Sequence, residues 1–585
     1  MPEYLSPGVY VEETDSGTKS VEGVSTSTAG FIGQTERGQL KPQLVTDYND
    51  FQRKYGGPIA DSYLGHAVRG FFENGGSRAY IARVTGDYRE EVGTATLTDA
   101  AETDVLSAAA TGPGEWAESV SVTVTDAPVS NETNTVFNLV ARYWSVEASE
   151  VENPGSKAPD PKPDIEERYD ELNADEGSTQ FYPRRLEGAS NLVQITQEGP
   201  GRPANQTVWL ESGDSSATSA DGGSQIQDSD SLSDESDDES DDSPSIPSDD
   251  ELDDMTKAEM KEIAKPLEIS ISQRKAELKA ELKEQRDSDD VETDGGAITE
   301  PAVEEYKGNS TPGQRTGLAA FEEIDAISIV VAPDENDVPG LTEAVVSHCE
   351  NMKDRMTLLQ APRNPGKIEE MEPPVDSSYA AYYYPWIQVR DPEMGTSQLV
   401  PPGGHIAGIY ARSDQENGIH KAPANEVVNG AEGLQHNVTK SDQNSLNPKG
   451  VNCVRDFQGR GIRVWGARTT ASNPEWRYIN VRRLFLYIRQ SIDEGTQWAV
   501  FEPNDEDLWA RVEQTIERFL TTLWRDGALM GTSEDEAFYV NCDSSTMTQD
   551  DIDNGRLICE IGIAPVKPAE FVVFRISQWT DGQGS

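Results

Sequence analysis

Hydrophobic and polar positions change period several times along the chain, and each change predicts a different element. Residues 63 to 84 place Leu64, Ala67, Val68, Phe71 and Phe72 at helical spacing, stop at Gly75-Gly76 and continue into Ala79-Tyr80-Ile81-Ala82-Arg83-Val84. A helix followed by a strand is predicted. From about 92 to 212 the period falls to two, as in Val120-Ser121-Val122-Thr123-Val124-Thr125 and Val136-Phe137-Asn138-Leu139-Val140-Ala141, so a mostly β domain is expected. After Gly308 come the apolar run Ala326-Ile327-Ser328-Ile329-Val330-Val331, a helix over 341 to 354 and the run Met356-Thr357-Leu358-Leu359. This βαβ signature predicts a partly parallel sheet. In a helix predicted over 506 to 526, Leu508, Val512, Ile516, Phe519, Leu520 and Leu523 share one face. Arg511, Arg518 and Arg525 recur every seven residues on the opposite side, within ~40° of one another.

Two stretches break these patterns. Residues 2 to 13 read as an extended arm, with the turn Ser6-Pro7-Gly8 before Val9-Tyr10-Val11-Glu12-Glu13. Residues 213 to about 254 are Ser, Asp, Glu and Gly with almost no bulky apolar side chain, which cannot offset the entropy of ordering; disorder is expected there. Within the same acidic region a helix pair is predicted at about 255–286, opened by the capping-box word Thr256-Lys257-Ala258-Glu259 and carrying Leu278 and Leu282. The pair resembles small helix-extended-helix modules, and a tethered surface decoration is the reading beside that polyacidic flank.

Charge sharpens the picture. The 585 residues hold 105 Asp+Glu against 49 Lys+Arg, a formal net charge of −56. Residues 213 to 300 contribute 28 acidic and 8 basic residues, so −36 remains on the rest of the chain. Nucleic acid and anionic membranes are poor partners for such a surface. An acid excess spread through the globular parts, with 31 Arg but 18 Lys, reads as a halophilic host, where salt screens the self-repulsion. Mean hydropathy is −0.64 and the longest strongly apolar run, Ile327 to Ala332, is far short of the ~20 residues that span a bilayer. Neither a membrane-inserted segment nor a secretory signal is read, and cytoplasmic folding is expected.

Candidate chemistry is sparse. Cys349, Cys453, Cys542 and Cys559 form no C-x-x-C, and His66, His348, His405, His420 and His436 lack ligand spacing, so no metal and no disulfide framework is assigned. Gly30-Phe31-Ile32-Gly33 lacks the Lys-Ser/Thr of a phosphate loop, and Pro401-Pro402-Gly403-Gly404-His405 is a Gly-rich turn without a G-x-S-x-G elbow. No catalytic or cofactor-binding residue is assigned, and no cofactor. The alternatives carried are a hydrolase using His405 and a static surface-layer-like structural protein. Arg468, Arg482 and Arg483 sit between apolar words, where buried guanidinium groups need partners that the many carboxylates can supply. Tyr382-Tyr383-Tyr384-Pro385-Trp386 reads as core packing at a strand-to-loop junction.

The C-terminal half carries a succession of distinctive words: Ser378-Tyr379-Ala380-Ala381-Tyr382-Tyr383-Tyr384-Pro385-Trp386, Val400-Pro401-Pro402-Gly403-Gly404-His405-Ile406-Ala407-Gly408, Arg460-Gly461-Ile462-Arg463-Val464-Trp465-Gly466-Ala467-Arg468-Thr469, Phe501-Glu502-Pro503-Asn504 and Pro565-Val566-Lys567-Pro568-Ala569-Glu570-Phe571. Together with Ser6 to Glu13 and Gly112-Pro113-Gly114-Glu115-Trp116, they resemble the contractile tail sheath proteins of viruses and injection systems. The resemblance covers the chain outside roughly 213 to 305. It implies a multidomain α/β protein: a sheath core with βαβ elements, an inserted mostly β peripheral domain and, here, the acidic insertion. The expected parts are a linker arm 1–20, the N-terminal part of the core 21–90, the peripheral domain 91–212, the insertion 213–305, a middle α/β domain 306–475 and a C-terminal domain 476–585. The resemblance further implies six-fold stacked rings of identical subunits around an inner tube protein, with baseplate and terminal cap partners. Contraction would follow from a metastable extended state, in a virion tail or a released injection particle. Terminal strands lent between subunits are assigned to Val9, Tyr10 and Val11 at one end and Phe571, Val572, Val573, Phe574 and Ile576 at the other. Contact with the inner tube is assigned to Arg511, Arg518 and Arg525.

Overall fold

A computed structural model describes residues 21–86, 92–128, 135–212, 301–391 and 395–575. Val9, Tyr10, Val11, Ile576 and the predicted helix pair at 255–286 lie outside the described residues. The core is an eight-stranded sheet whose six central strands run parallel, in the spatial order Val451–Phe457, Ala380–Tyr384, Met356–Gln360, Ile329–Val331, Ala29–Gln34 and Ala79–Val84. Antiparallel strands Gly461–Trp465 and Gln43–Val45 close its two edges. The central strands Ala29–Gln34, Met356–Gln360 and Ala380–Tyr384 are buried along their whole length. Parallel strands covered on both faces read as continuous apolar runs rather than alternating ones, and the run-helix-run of 326 to 360 is such a unit. Its helix spans Leu341–Met352 and its first strand begins three residues later than the apolar run does. Tyr382, Tyr383, Tyr384 and Trp386 are all buried, in keeping with a core role.

The Gly-rich word at 401 to 408 is corrected by the structure. It is not a turn but the start of the helix Gly403–Asn417, packed on the helix Leu64–Glu73. A Cβ on Gly404 would stand 2.2 Å from the Ala67 carbonyl oxygen and one on Gly408 2.3 Å from that of Phe71. The glycines let two helix backbones touch, a packing demand that looks like turn chemistry in sequence.

Residues 94 to 209 form two antiparallel sheets, one of three strands and one of four, over a shared core that includes Leu106, Val122, Leu139 and Tyr182. Beyond 478 the chain builds a smaller layer. Helices Ile479–Thr496 and Glu506–Arg525 pack against the two-stranded antiparallel sheet Phe538–Asn541 and Glu560–Ile563. The second helix begins at Asp505, whose carboxylate accepts the Leu508 N–H. All six residues of its predicted apolar face are at most 7 % exposed.

Candidate functional site

Both terminal segments leave the fold beside the helix Ile479–Thr496. At its C-terminal end Val21 packs on Gly495, and the Val24 N–H donates to Ser491 Oγ. One turn from its start, Arg483 is fully enclosed. Its guanidinium makes two bonds to the Asp414 carboxylate, at 2.8 and 2.7 Å, and donates to the Thr26 carbonyl at 2.8 Å. Both side chains of the ion pair are 3 % exposed. This clamp fixes the segment through which the N-terminal arm enters the core sheet at Ala29.

The other arm is rooted at the opposite end, about 27 Å away along an 18-residue helix. Arg468 donates Nε to Glu570 Oε1 at 2.8 Å and Nη2 to Oε2 at 2.7 Å, while Asn447 and Tyr478 donate to the same carboxylate at 2.8 and 3.1 Å. Partial burial opposes ionisation of Glu570, but the bonds from Arg468 and Asn447 win and hold its carboxyl below the usual range. Immediately past this anchor the chain has no regular structure to residue 575. Phe571, Val572, Val573 and Phe574 are 73, 70, 77 and 84 % exposed. Four consecutive large apolar side chains in water, on a segment tied down by a four-bond carboxylate, form an unsatisfied edge.

The nearby two-stranded sheet is also incomplete. Among the described residues its two strands pair with each other alone, while the chain just past the second strand pairs with 528 to 530, the Met530 N–H donating to the Ala564 carbonyl and the Val566 N–H to that of Ala528. Tyr539 on its outer strand is 60 % exposed. Four-residue strands separated by a long polar connection carry too little periodicity to mark this sheet in the sequence.

The three arginines of the long helix differ in their surroundings. Arg511 lies over the Trp498 ring and 3.5 Å from Glu502. Arg518 is exposed and donates to Gln514, and Arg525 is 71 % exposed with Glu534 at 3.9 Å. Arg518 and Arg525 line a groove of about 610 Å³ that Glu517, Glu534 and Asp535 also line, so the face is of mixed charge rather than basic alone. Of the three arginines read as needing partners, Arg468 and Arg483 are buried and find carboxylates, while Arg482 is only half-buried. Arg482 instead lies 3.8 Å from the Trp476 ring centroid and 4.4 Å from that of Tyr379, and donates to Ser378.

His405 is 2 % exposed, and burial pushes its pKa down to about 3, so the ring is neutral. The cavity of about 300 Å³ that it shares with His66 has no Ser, Thr or Cys in its lining. Among the described residues, then, no Ser stands at that cavity as a hydrolase nucleophile, although the carboxylates of Glu73 and Glu432 line it. Among the described residues no group of three or more His, Cys, Asp or Glu is placed to hold a metal ion. Nor is any helix among them long and apolar enough to cross a membrane.

This fold is that of sheath subunits. It is similar to the contracted sheath of an extracellular contractile injection system, the PVC sheath complex, with a TM-score of 0.51 at 19 % identity over 99 % of both chains. A sheath tail protein from Listeria innocua gives a TM-score of 0.51 at 12 % identity, over 93 % of this chain and 96 % of that one. The family models described as phage tail sheath protein central domain and phage tail sheath C-terminal domain match residues 307–470 and 471–578, so the stretch 307–578 carries the two domains of the phage tail sheath family. A putative prophage major tail sheath protein of Pseudomonas aeruginosa is 24 % identical over 292 residues, covering 46 % of this chain and 72 % of that one. The tail sheath protein of Vibrio phage KVP40 is 27 % identical over 34 % of this chain but only 29 % of its own length.

Proposed function

We propose that this protein is the subunit of a contractile sheath that polymerises around an inner tube and does mechanical work by contracting. The observation that carries the reading is the apolar arm Phe571 to Phe574, anchored at Glu570 and exposed, in a chain that also holds an incomplete two-stranded sheet. Strand addition joins the two economically: backbone hydrogen bonds hold neighbouring copies together while alternate side chains fix register. Phe571, Val572, Val573, Phe574 and Ile576 are one donated end and Val9, Tyr10 and Val11 the other. The sheet Phe538–Asn541 and Glu560–Ile563 is the acceptor.

Copies linked in this way form stacked six-fold rings, with baseplate and cap proteins at the ends. The subunit acts without a catalytic step or cofactor. The extended sheath is held by a barrier rather than by equilibrium stability, and contraction rotates subunits as rigid bodies about the strand links. Arg511, Arg518 and Arg525 face the tube, where exposed ion pairs worth about 0–1 kcal/mol each grip by repetition and release readily. The acidic excess suits assembly in concentrated salt, in the cytoplasm of a halophilic host, before incorporation into a virion tail or injection particle. Removal of residues 213 to 300 leaves assembly intact because loops accept long insertions at small entropic cost.

Hydrogen exchange tests the reading directly. Backbone amides of 571 to 574 and 538 to 541 should exchange quickly in the unassembled chain and become protected in tubes. Tubes in which the arm amides still exchange freely would overturn it.

A further inference from the structure

The two-stranded sheet contains a feature unrelated to strand addition. Its last regular pair is Asn541 opposite Glu560, and the next step of that register sets Cys542 opposite Cys559. The kind of pair follows from the ladder. The Ala564 N–H donates to the Ala537 carbonyl at 2.8 Å, so 537 and 564 form a hydrogen-bonded pair, and in antiparallel sheets the two kinds alternate. Five steps on, Cys542 and Cys559 form a non-hydrogen-bonded pair, the narrow kind with Cα atoms ~4.5 Å apart, inside the range that a disulfide spans. The two thiols are close enough to perturb each other's ionisation. Cys542 is 2 % exposed and Cys559 half-buried.

We propose that Cys542 and Cys559 are a redox-active pair that closes into a cross-strand disulfide when the chain meets a low-molecular-weight disulfide. The accessible Cys559 sulfur attacks one sulfur of the small disulfide, breaks its S–S bond and expels one small thiolate. The Cys542 sulfur then attacks Cys559 Sγ in the mixed disulfide, forms the protein S–S bond and expels the second thiolate. The expelled thiolates take up the two cysteine protons. The protein is oxidised by two electrons, and the small disulfide is reduced to two thiols. The neighbouring Cys542 and burial raise the Cys559 thiol, so its attack is the slow step, and closure rests on the cross-strand placement of the two sulfurs. Cys349 and Cys453 are set apart from this chemistry: both are fully buried, and burial raises the thiol of the first and pushes that of the second up to about 12. The bridge closes the loop that carries the short helix Gln549–Asp553. By loop-closure entropy a loop of ~15 residues gains on the order of 100-fold in its folding equilibrium.

The inference stands apart from the sheath reading, because its test uses the unassembled full-length chain. Treated with oxidised glutathione, the chain should lose the mass of two hydrogens and yield a linked peptide pair holding Cys542 and Cys559. Cys349 and Cys453 should remain alkylatable after unfolding. Amide exchange over 543 to 558 should slow on the order of 100-fold relative to the reduced chain. The Cys542→Ser variant should instead retain a glutathione adduct on Cys559, and Cys559→Ser should take up none. A stable glutathione adduct on Cys559 in the unmutated chain would overturn the proposal. Cross-links between chains in place of the internal bridge would do the same.

Discussion

The eight-stranded core sheet and the two-stranded sheet near the C-terminus are built to different rules. The first is finished within the chain: its central strands are covered on both faces, antiparallel strands close its edges, and Arg483 and Asp414 satisfy each other beside it. The second has strands of four residues, an outer tyrosine in water, and a neighbouring arm whose four apolar side chains are 70 to 84 % exposed. Burying that arm against another copy is worth roughly 6 kcal/mol or more before the cost of association. The unassembled chain forgoes that free energy. The contrast sets a region whose groups are satisfied beside one that leaves apolar surface in water, so each should be breakable alone.

The largest expected effect is on the finished region. Replacing Asp414 with Ala leaves the buried Arg483 guanidinium without its counter-ion, which should destabilise the fold by about 3–5 kcal/mol, read as a lowered denaturant midpoint. At the arm root, Glu570→Gln removes the charge that Arg468 binds and should cost about 1.5–3 kcal/mol locally. Limited proteolysis near Phe571 should accelerate while the core melts as before.

Acid should separate the regions further, with opposite signs. In the core, burial pushes the Glu335 pKa up to about 8 and that of Asp334 to about 6, against hydrogen bonds from Gln360 to the first and from Ser62 and Tyr63 to the second. These carboxyls bind protons more tightly folded than unfolded. Their contribution is therefore fully present below the ordinary carboxylate range of ~4, and is lost as pH rises through about 6 and about 8. Glu570 is depressed, so its contribution holds above the ordinary range and is lost as pH falls below it. Titrating from pH ~8 to ~5 should raise the core's melting temperature, and further acid should free the arm. Glu335→Gln should flatten the upper part of that profile.

The smallest effect on the unassembled chain is expected from reversing Arg511, Arg518 and Arg525 to Glu, each worth under about 1 kcal/mol. Self-assembly should persist while co-assembly with the inner tube is lost. Tubes still sheathed at the unmutated frequency would remove these arginines from the tube contact.

Long periodic elements were legible in the sequence for physical reasons. The helix Glu506–Arg525 buries every residue of its predicted apolar stripe, and the βαβ run falls where continuous apolar stretches demanded cover on both faces. What periodicity could not show was pairing at a distance. Glu570 lies 102 residues from Arg468, and nothing local marks it as an anchor. The thiols of Cys542 and Cys559 meet only because two short strands turn back on each other. Arg482 was read as needing a carboxylate and found aromatic faces, since guanidinium stacking leaves no charge pattern along the chain. Gly404 and Gly408 misled for a related reason: helix contact and turn both select glycine.

The central claim is that the chain beyond Glu570 assembles copies and does not fold them. One measurement tests it: a variant ending at Glu570, examined in high salt by electron microscopy beside the full-length chain, with thermal unfolding of the unassembled forms as the control. The account predicts that the truncated protein melts with the full-length chain and forms no tubes. Long tubes from the variant ending at Glu570 would contradict it.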